Sequence, residues 1–217
     1  MTPLFALLCA CPPAAEPSDI TQLTCPEDFG QIQKAILQRR YSTGTTHNEI
    51  AFAGVTLEAT WQALVDASNS TKAQWTNRLG DVVLTPGAAL EFGSGNQVPN
   101  GASINRGSDP TVATALLYSW TQVIIAQMKL WRCEEASIFL INQDGLIAGH
   151  IDDPASPAQF RGFPIMLNTM HVGDKQPGGH GEPDRNAWGF KLAPNWSDNW
   201  YVVTPAATFD ALAGLYP

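Results

Sequence analysis

Apolar positions recur along this chain with two periods, and each period predicts a different kind of element. Leu57, Trp61, Leu64 and Val65 return at helical spacing. Thr56 stands ahead of them as a cap, and Glu58, with Glu49 further upstream, suits the positive end of a helix dipole, which predicts a helix over 57–67. A longer stripe, Ala113, Leu116, Leu117, Trp120, Ile124 and Trp131, follows Asp109-Pro110, a pair that reads as N-cap and first-turn proline. The expectation there is one long packing helix over about 110–133. Beyond Cys133 the period drops to two. Ser137–Asn142 and Leu146–Ile151 flank Gln143-Asp144-Gly145, and Asp-Gly between apolar runs marks a hairpin. Phe163–His171, Ala187–Leu192 and Trp200–Thr204 read as further strands, with turn residues over Pro194–Asn199. Val82–Leu84 and parts of 34–55 are weaker strand candidates. The fold class expected is α+β: a mainly antiparallel β-sandwich or barrel, with the long helix, the shorter helix and long loops.

Two stretches are long and irregular, Thr85–Asp109 with five Gly and two Pro, and Gly173–Arg185 (GDKQPGGHGEPDR). Loops of that length are commonly functional or disordered. Residues 1–24 are rich in Pro, Ala and Thr without periodicity and read as an N-terminal arm. No linker divides the remainder, so 25–217 is expected to be a single structural domain.

Composition sharpens this picture. Only 15% of residues are charged, against about 25% in an average soluble domain, while seven are Trp. Interface cores are depleted in charge and enriched in aromatics, so this composition points to an assembly protein. The net charge is −8, concentrated at the two ends of the chain. No stretch clusters Lys and Arg with aromatics, which argues against tight binding to a phosphate backbone, while an acidic wall would let nucleic acid pass. The opening MTPLFALLCACPP lacks a basic n-region, the first Lys being Lys34, so it is not expected to be a signal peptide. No apolar run approaches the length of a spanning helix, and the chain is expected to be soluble. Cys9, Cys11, Cys25 and Cys133 fit no zinc spacing and read as free thiols.

His171, Asp174, His180, Glu182 and Asp184 lie close in sequence, but in a Gly-rich loop without metal-ligand spacing. His150-Ile151-Asp152-Asp153 contains an acid/base pair at a hairpin end, where charge ordinarily serves as a solvated edge. Phe92-Gly93-Ser94-Gly95-Asn96 matches neither a phosphate loop nor a nucleophile elbow. Asn69-Ser70-Thr71 and Asn195-Trp196-Ser197 fit the glycosylation pattern, which matters only in a secreted chain. No nucleophile, base and orienting group combine, so neither enzymatic activity nor a catalytic, cofactor-binding or metal site is expected.

One set of segments carries a resemblance. Cys25–Arg39 (CPEDFGQIQKAILQR), Thr60–Lys72 (TWQALVDASNSTK), Leu90–Gly101 (LEFGSGNQVPNG), Ile141–Gly149 (INQDGLIAG) and Lys191–Trp200 (KLAPNWSDNW) together resemble structural virion proteins of tailed bacteriophages, above all tail-tube subunits. The resemblance spans about 25–213 and leaves the arm outside. It implies packed β-sheets with a flanking helix, and stacked hexameric rings around a DNA channel. It further implies that the 85–109 loop and the arm bridge neighbouring subunits or rings, and that the acidic excess keeps the genome from sticking. The partners implied are the chain itself and other virion proteins, with DNA only as non-specific cargo and no membrane. The place implied is the virion, assembled in the host cytoplasm. The long helix departs from a tube subunit, which leaves room for a head–tail connector or capsid-decoration role. Readings from other classes are a surface lipoprotein using the Cys11 box and a metal-dependent enzyme using the His171–Asp184 loop.

Overall fold

Ser137–Asn142 is apolar at odd and even positions alike, and the structure shows why. The strand Ala136–Asn142 is buried at every residue, because both of its faces meet a core. The structure is a computed structural model that describes residues 28–93, 103–153 and 157–216. We number its strands β1 (Ile32–Arg39), β2 (Tyr41–Thr43), β3 (Thr46–His47), β4 (Ile50–Ala51), β5 (Ala73–Trp75), β6 (Gly80–Thr85), β7 (Ala89–Phe92) and β8 (Ile104–Ser108). They continue with β9 (Thr111–Tyr118), β10 (Ala136–Asn142), β11 (Ile147–Ile151), β12 (Gln159–Arg161), β13 (Phe163–Pro164), β14 (His171–Gln176), β15 (Arg185–Leu192) and β16 (Trp200–Val203). The helices are α1 (Glu58–Asp66) and α2 (Gln122–Leu130).

The larger sheet runs β4-β12-β11-β10-β1-β5, with β13 on β10 and β16 on β11. The smaller runs β14-β15-β9-β6, and every pairing in both is antiparallel. Between the two sheets lies the first core. Ala35, Leu37, Ile138 and Leu140 from the large sheet meet Ala113, Ala115, Leu117, Trp188 and Phe190 from the small one. Alternate residues of the same central strands, Ile36, Phe139 and Ile141, point the other way into a second core with Trp61, Val65, Phe209 and Leu215. Period two thus persists, but burial on both faces hides it from a polar/apolar reading. Lys34 shares this geometry. It is 4% exposed, its Nζ donates to the Ala213 carbonyl, and burial lowers its pKa.

The β-dominated α+β class stands, with both helices short. The long helix expected over 110–133 is not there. Thr111–Tyr118 is a strand that pairs along its whole length with β15, from Thr111↔Leu192 to Tyr118↔Arg185. Ser119 then takes a positive φ of 58°, and the helix begins only at Gln122. The stretch under that stripe holds two periods: Ala113 and Leu117 face the core as a strand together with Ala115, and the helix buries Ile125 and Met128, which the stripe did not include. Ladder bonds on both sides outweigh a helical tendency that β-branched Thr111, Val112 and Thr114 weaken anyway. The Asp109-Pro110 pair therefore precedes a strand. The shorter helix lies within 57–67 as expected and buries Trp61 and Val65, but Leu57 is its N-cap and no side chain caps it.

The hairpin at Asp144-Gly145 forms, with Ile141↔Ile147 and Leu140↔Ala148 as its last pairs. Asn142 organises it, since its Oδ1 accepts from the N–H groups of Asp144 and Leu146 and its Nδ2 donates to the Phe29 carbonyl. Ala187–Leu192 and Trp200–Thr204 fall in β15 and β16. The strand expected over Phe163–His171 divides instead into β13 and β14 around a turn in which Asn168 has φ 60°. The weak signal over 34–55 overlaps most of β1, which is paired on both sides in the large sheet, and holds β2, β3 and β4.

Candidate assembly surface

The small sheet covers the first core with one face and exposes residues along the other. Along β9, Val112 and Thr114 are exposed between buried Thr111, Ala113 and Ala115. Cross-strand pairing sets them in rows, Thr85–Val112–Lys191 and Val83–Thr114–Gly189–His171, followed by Gly80–Leu116–Ala187. Lys191 and Asp81 are the formal charges among the exposed residues of β6, β9 and β15. The phenol of Tyr118 donates to Asp81 Oδ2 at 2.5 Å, which raises the pKa of the phenol. Val83 is 52% exposed on an open strand. Among the described residues, β6 pairs only with β9 and β14 only with β15, so both edges of this sheet present unpaired backbone. Such edges are templates for pairing with another chain.

The irregular stretch over 85–109 contains structure that glycine content obscured. β7 and β8 form a separate two-stranded sheet, with Phe92↔Ile104 and Glu91↔Asn105 as pairs. Its base is closed by the Asp109 N–H donating to the Ala88 carbonyl. There a Cβ on Gly87 would stand 1.8 Å from the Asp109 carbonyl oxygen, so only glycine fits. Leu90, Phe92 and Ile104 share one face of the hairpin and are 45%, 48% and 39% exposed. The Arg106 guanidinium lies 5.0 Å from the centre of the Phe92 ring. An isolated two-stranded hairpin is marginal in water, and three exposed apolar side chains on one face ask for a partner surface.

The residues weighed for chemistry lie as follows. Asp174 pairs with Lys129, Asp184 with Lys175 and Glu182 with Arg185. The pKa of Asp184 is lowered by the hydrogen bond from Lys175 and then by the Gly178 N–H. Among the described residues no three His, Cys, Asp or Glu side chains converge as a metal site would need. His150 Nε2 stands 3.5 Å from Asp152, which also pairs with Arg161. Asn69 accepts from the Thr71 N–H in a turn, and Asn195 takes a φ of 63°. Ser94, Gly95 and Asn96, the arm, and Cys9, Cys11 and Cys25 lie outside the described residues; Cys133 is exposed and free. No helix among the described residues is long and apolar enough to cross a membrane.

No family model matches the chain. No curated protein matches it either. Among solved structures, it matches a chain in the tail of an empty GTA particle with C6 symmetry, at 11% identity and a TM-score of 0.34, over 73% of this chain and 93% of that one.

Proposed function

We propose that this chain is a structural subunit of a phage-like tail, which associates with copies of itself into stacked rings and forms the tail tube. The observation that carries the reading is the small sheet, unpaired at both edges among the described residues, with Val83, Val112 and Thr114 exposed on the face turned from the core. A subunit with two open edges on one sheet extends that sheet through its neighbours, and closure of a ring removes every edge. The hairpin β7–β8, with its apolar face, serves the contact that edge pairing does not make. Ring order six follows the sequence resemblance to tail-tube subunits. DNA is cargo in the bore, and the net charge of −8 keeps it from binding the wall. The feature that left room for a connector or decoration role was a long helix, and α2 has nine residues.

The test is negative-stain electron microscopy of purified protein across a concentration series, with Val83→Lys as the edge-blocking variant. Uniform tubes from the unaltered chain, lost in the variant without loss of monomer stability, are expected. Single rings at all concentrations would move the role to a connector. Featureless monomers at high concentration would refute the self-assembly reading.

A further inference from the structure

The tube reading makes no use of a cavity of about 290 Å³ on the far side of the hairpin β2–β3. Stretches around the hairpin β2–β3, the strands β11 and β12, and the turn after β15 build it. Arg40 comes from the junction of β1 and β2, His47 from the end of β3, His150 from β11 and Arg161 from β12. The turn after β15 supplies the opposite wall through Asn195 and Trp196. That wall is held firmly: the Trp196 ring packs edge-on against Phe163 at 4.9 Å, and its Nε1 donates to Thr111 Oγ1 at 3.0 Å. The hairpin is anchored as well, since the nearly buried Asn48 donates from Nδ2 to the carbonyls of Arg39 and Ser70.

The charges in this cavity are unequally matched. Arg161 takes both nearby carboxylates, Glu49 on Nε at 3.0 Å and Asp152 on Nη2. The Arg40 guanidinium lies 5.1 Å from the centre of the Tyr41 ring and has no carboxylate partner among the described residues. With neutral imidazoles, the two arginines and two carboxylates balance, and each imidazole that protonates adds a positive charge. With both imidazoles neutral the recess thus carries no net charge on a chain of net charge −8, and it turns cationic only as they protonate. We propose that this cavity binds a small oxyanion, a phosphate or a carboxylate, held by Arg40 together with His47 and His150.

Burial and the two arginines favour the neutral form of His47. For His150, burial and the arginines outweigh the opposing pull of Asp152. An anion seated among these groups reverses that balance, so binding is coupled to proton uptake. The anion has two possible sources. One is free phosphate, which is independent of any assembly. The other is an acidic side chain of a second copy, which rests on the self-association proposed above.

The experiment is an NMR pH titration of the two imidazoles in dilute, monomeric protein, with inorganic phosphate exchanged for chloride at constant ionic strength. Phosphate is expected to raise both imidazole midpoints by about one pH unit, saturably. Arg40→Gln should abolish the response, and Arg40→Lys, which keeps the charge but not the fork, should weaken it. A parallel calorimetric measurement of proton uptake on assembly, without phosphate, reads the second source. Proton uptake on assembly that Arg40→Gln removes, with no phosphate response in the monomer, would assign the site to a neighbour's carboxylate. Imidazoles indifferent to phosphate, together with assembly that takes up no protons, would overturn the proposal. So would a phosphate response unchanged in Arg40→Gln. The monomer titration is readable whether or not tubes form, so it fails separately from the tube reading.

Discussion

Phe139 and Phe92 offer the same side chain in opposite settings, and truncating each to alanine separates folding from assembly. Phe139 is fully buried in the second core, with its ring centre 5.1 Å from Trp61, edge to face, and 5.4 Å from Phe160, stacked. A buried aromatic removes about 150–250 Å² from water, which at about 25 cal/mol per Å² bounds its contribution at roughly 4–6 kcal/mol. Measured core Phe→Ala changes cost about 3–5 kcal/mol, because the cavity left behind relaxes only in part. Phe139→Ala should therefore cost about 4 kcal/mol. Phe92 is 48% exposed on a hairpin that touches neither core cluster, so Phe92→Ala should cost the monomer less than about 1 kcal/mol.

Urea unfolding of the dilute monomer, followed by tryptophan fluorescence, reads the difference. The Phe139→Ala midpoint should fall by about 1–2 M and that of Phe92→Ala should barely move. Sedimentation of concentrated protein gives the second readout, in which Phe92→Ala loses assembly while its monomer stays intact. A cost below about 1.5 kcal/mol at Phe139 would refute the two-core packing. An equal cost at both positions would mean that the hairpin belongs to the folded core and is not held for a partner.

Three further outcomes follow from particular contacts. Asn142→Ala deprives the N–H groups of Asp144 and Leu146 of their acceptor and the Phe29 carbonyl of a donor, and should cost about 2–3 kcal/mol in urea unfolding. Gly149→Ala places a Cβ 2.5 Å from Phe160 Cζ and 2.6 Å from the Arg161 carbonyl oxygen, so overpacking should cost at least about 1–3 kcal/mol, read as a lower thermal midpoint. The His150 pKa is lowered on folding, by burial first, with Asp152, Arg161 and Arg40 facing the ring. Between its ordinary pKa of about 6.5 and the lower folded pKa the unfolded chain binds more protons than the folded one, so stability is lost as the pH drops through that window. Below the folded pKa the loss is complete. His150→Gln should flatten that part of the stability–pH curve, and a slope unchanged in the variant would refute the assignment.

Local signals in the sequence were legible where one residue type has one use. Asp144-Gly145 marked its hairpin because a positive φ is needed there, and Gly145 has φ 79°. Trp61 and Val65 marked α1 because its one buried face matches the helical repeat. Where two environments adjoin, the signal failed. Leu116 and Leu117 read as neighbours on one helical stripe, yet Leu117 is fully buried and Leu116 lies on the opposite face of β9. The 85–109 stretch read as loop because its glycines masked short strands, although Gly87 serves a single close approach. The recess at Arg40 could not be read at all. Arg40 and Arg161 are far apart in sequence, Arg161 has no local pattern, and His150 drew notice only as part of a solvated hairpin end.

The composition pointed to an interface for a reason that needs revision. Tryptophan enrichment together with low charge ordinarily marks surfaces that meet other chains. Yet Trp61, Trp120 and Trp188 are buried and Trp75, Trp131, Trp196 and Trp200 are partly buried within the chain's own packing. The tryptophans thus build the cores. What the fold leaves for a neighbour is different in kind: Val83 and Val112 on an open sheet, and Leu90, Phe92 and Ile104 on a hairpin without backing. Aliphatic side chains on strands that lack partners gain burial and hydrogen bonds in the same step when a second copy pairs with them. Low charge serves that step, because each charge brought to such an edge would have to be desolvated. Strand edges, and not aromatic content, therefore point to assembly. Charging Val83 should consequently harm assembly more than trimming the partly buried Trp196, which should harm folding first.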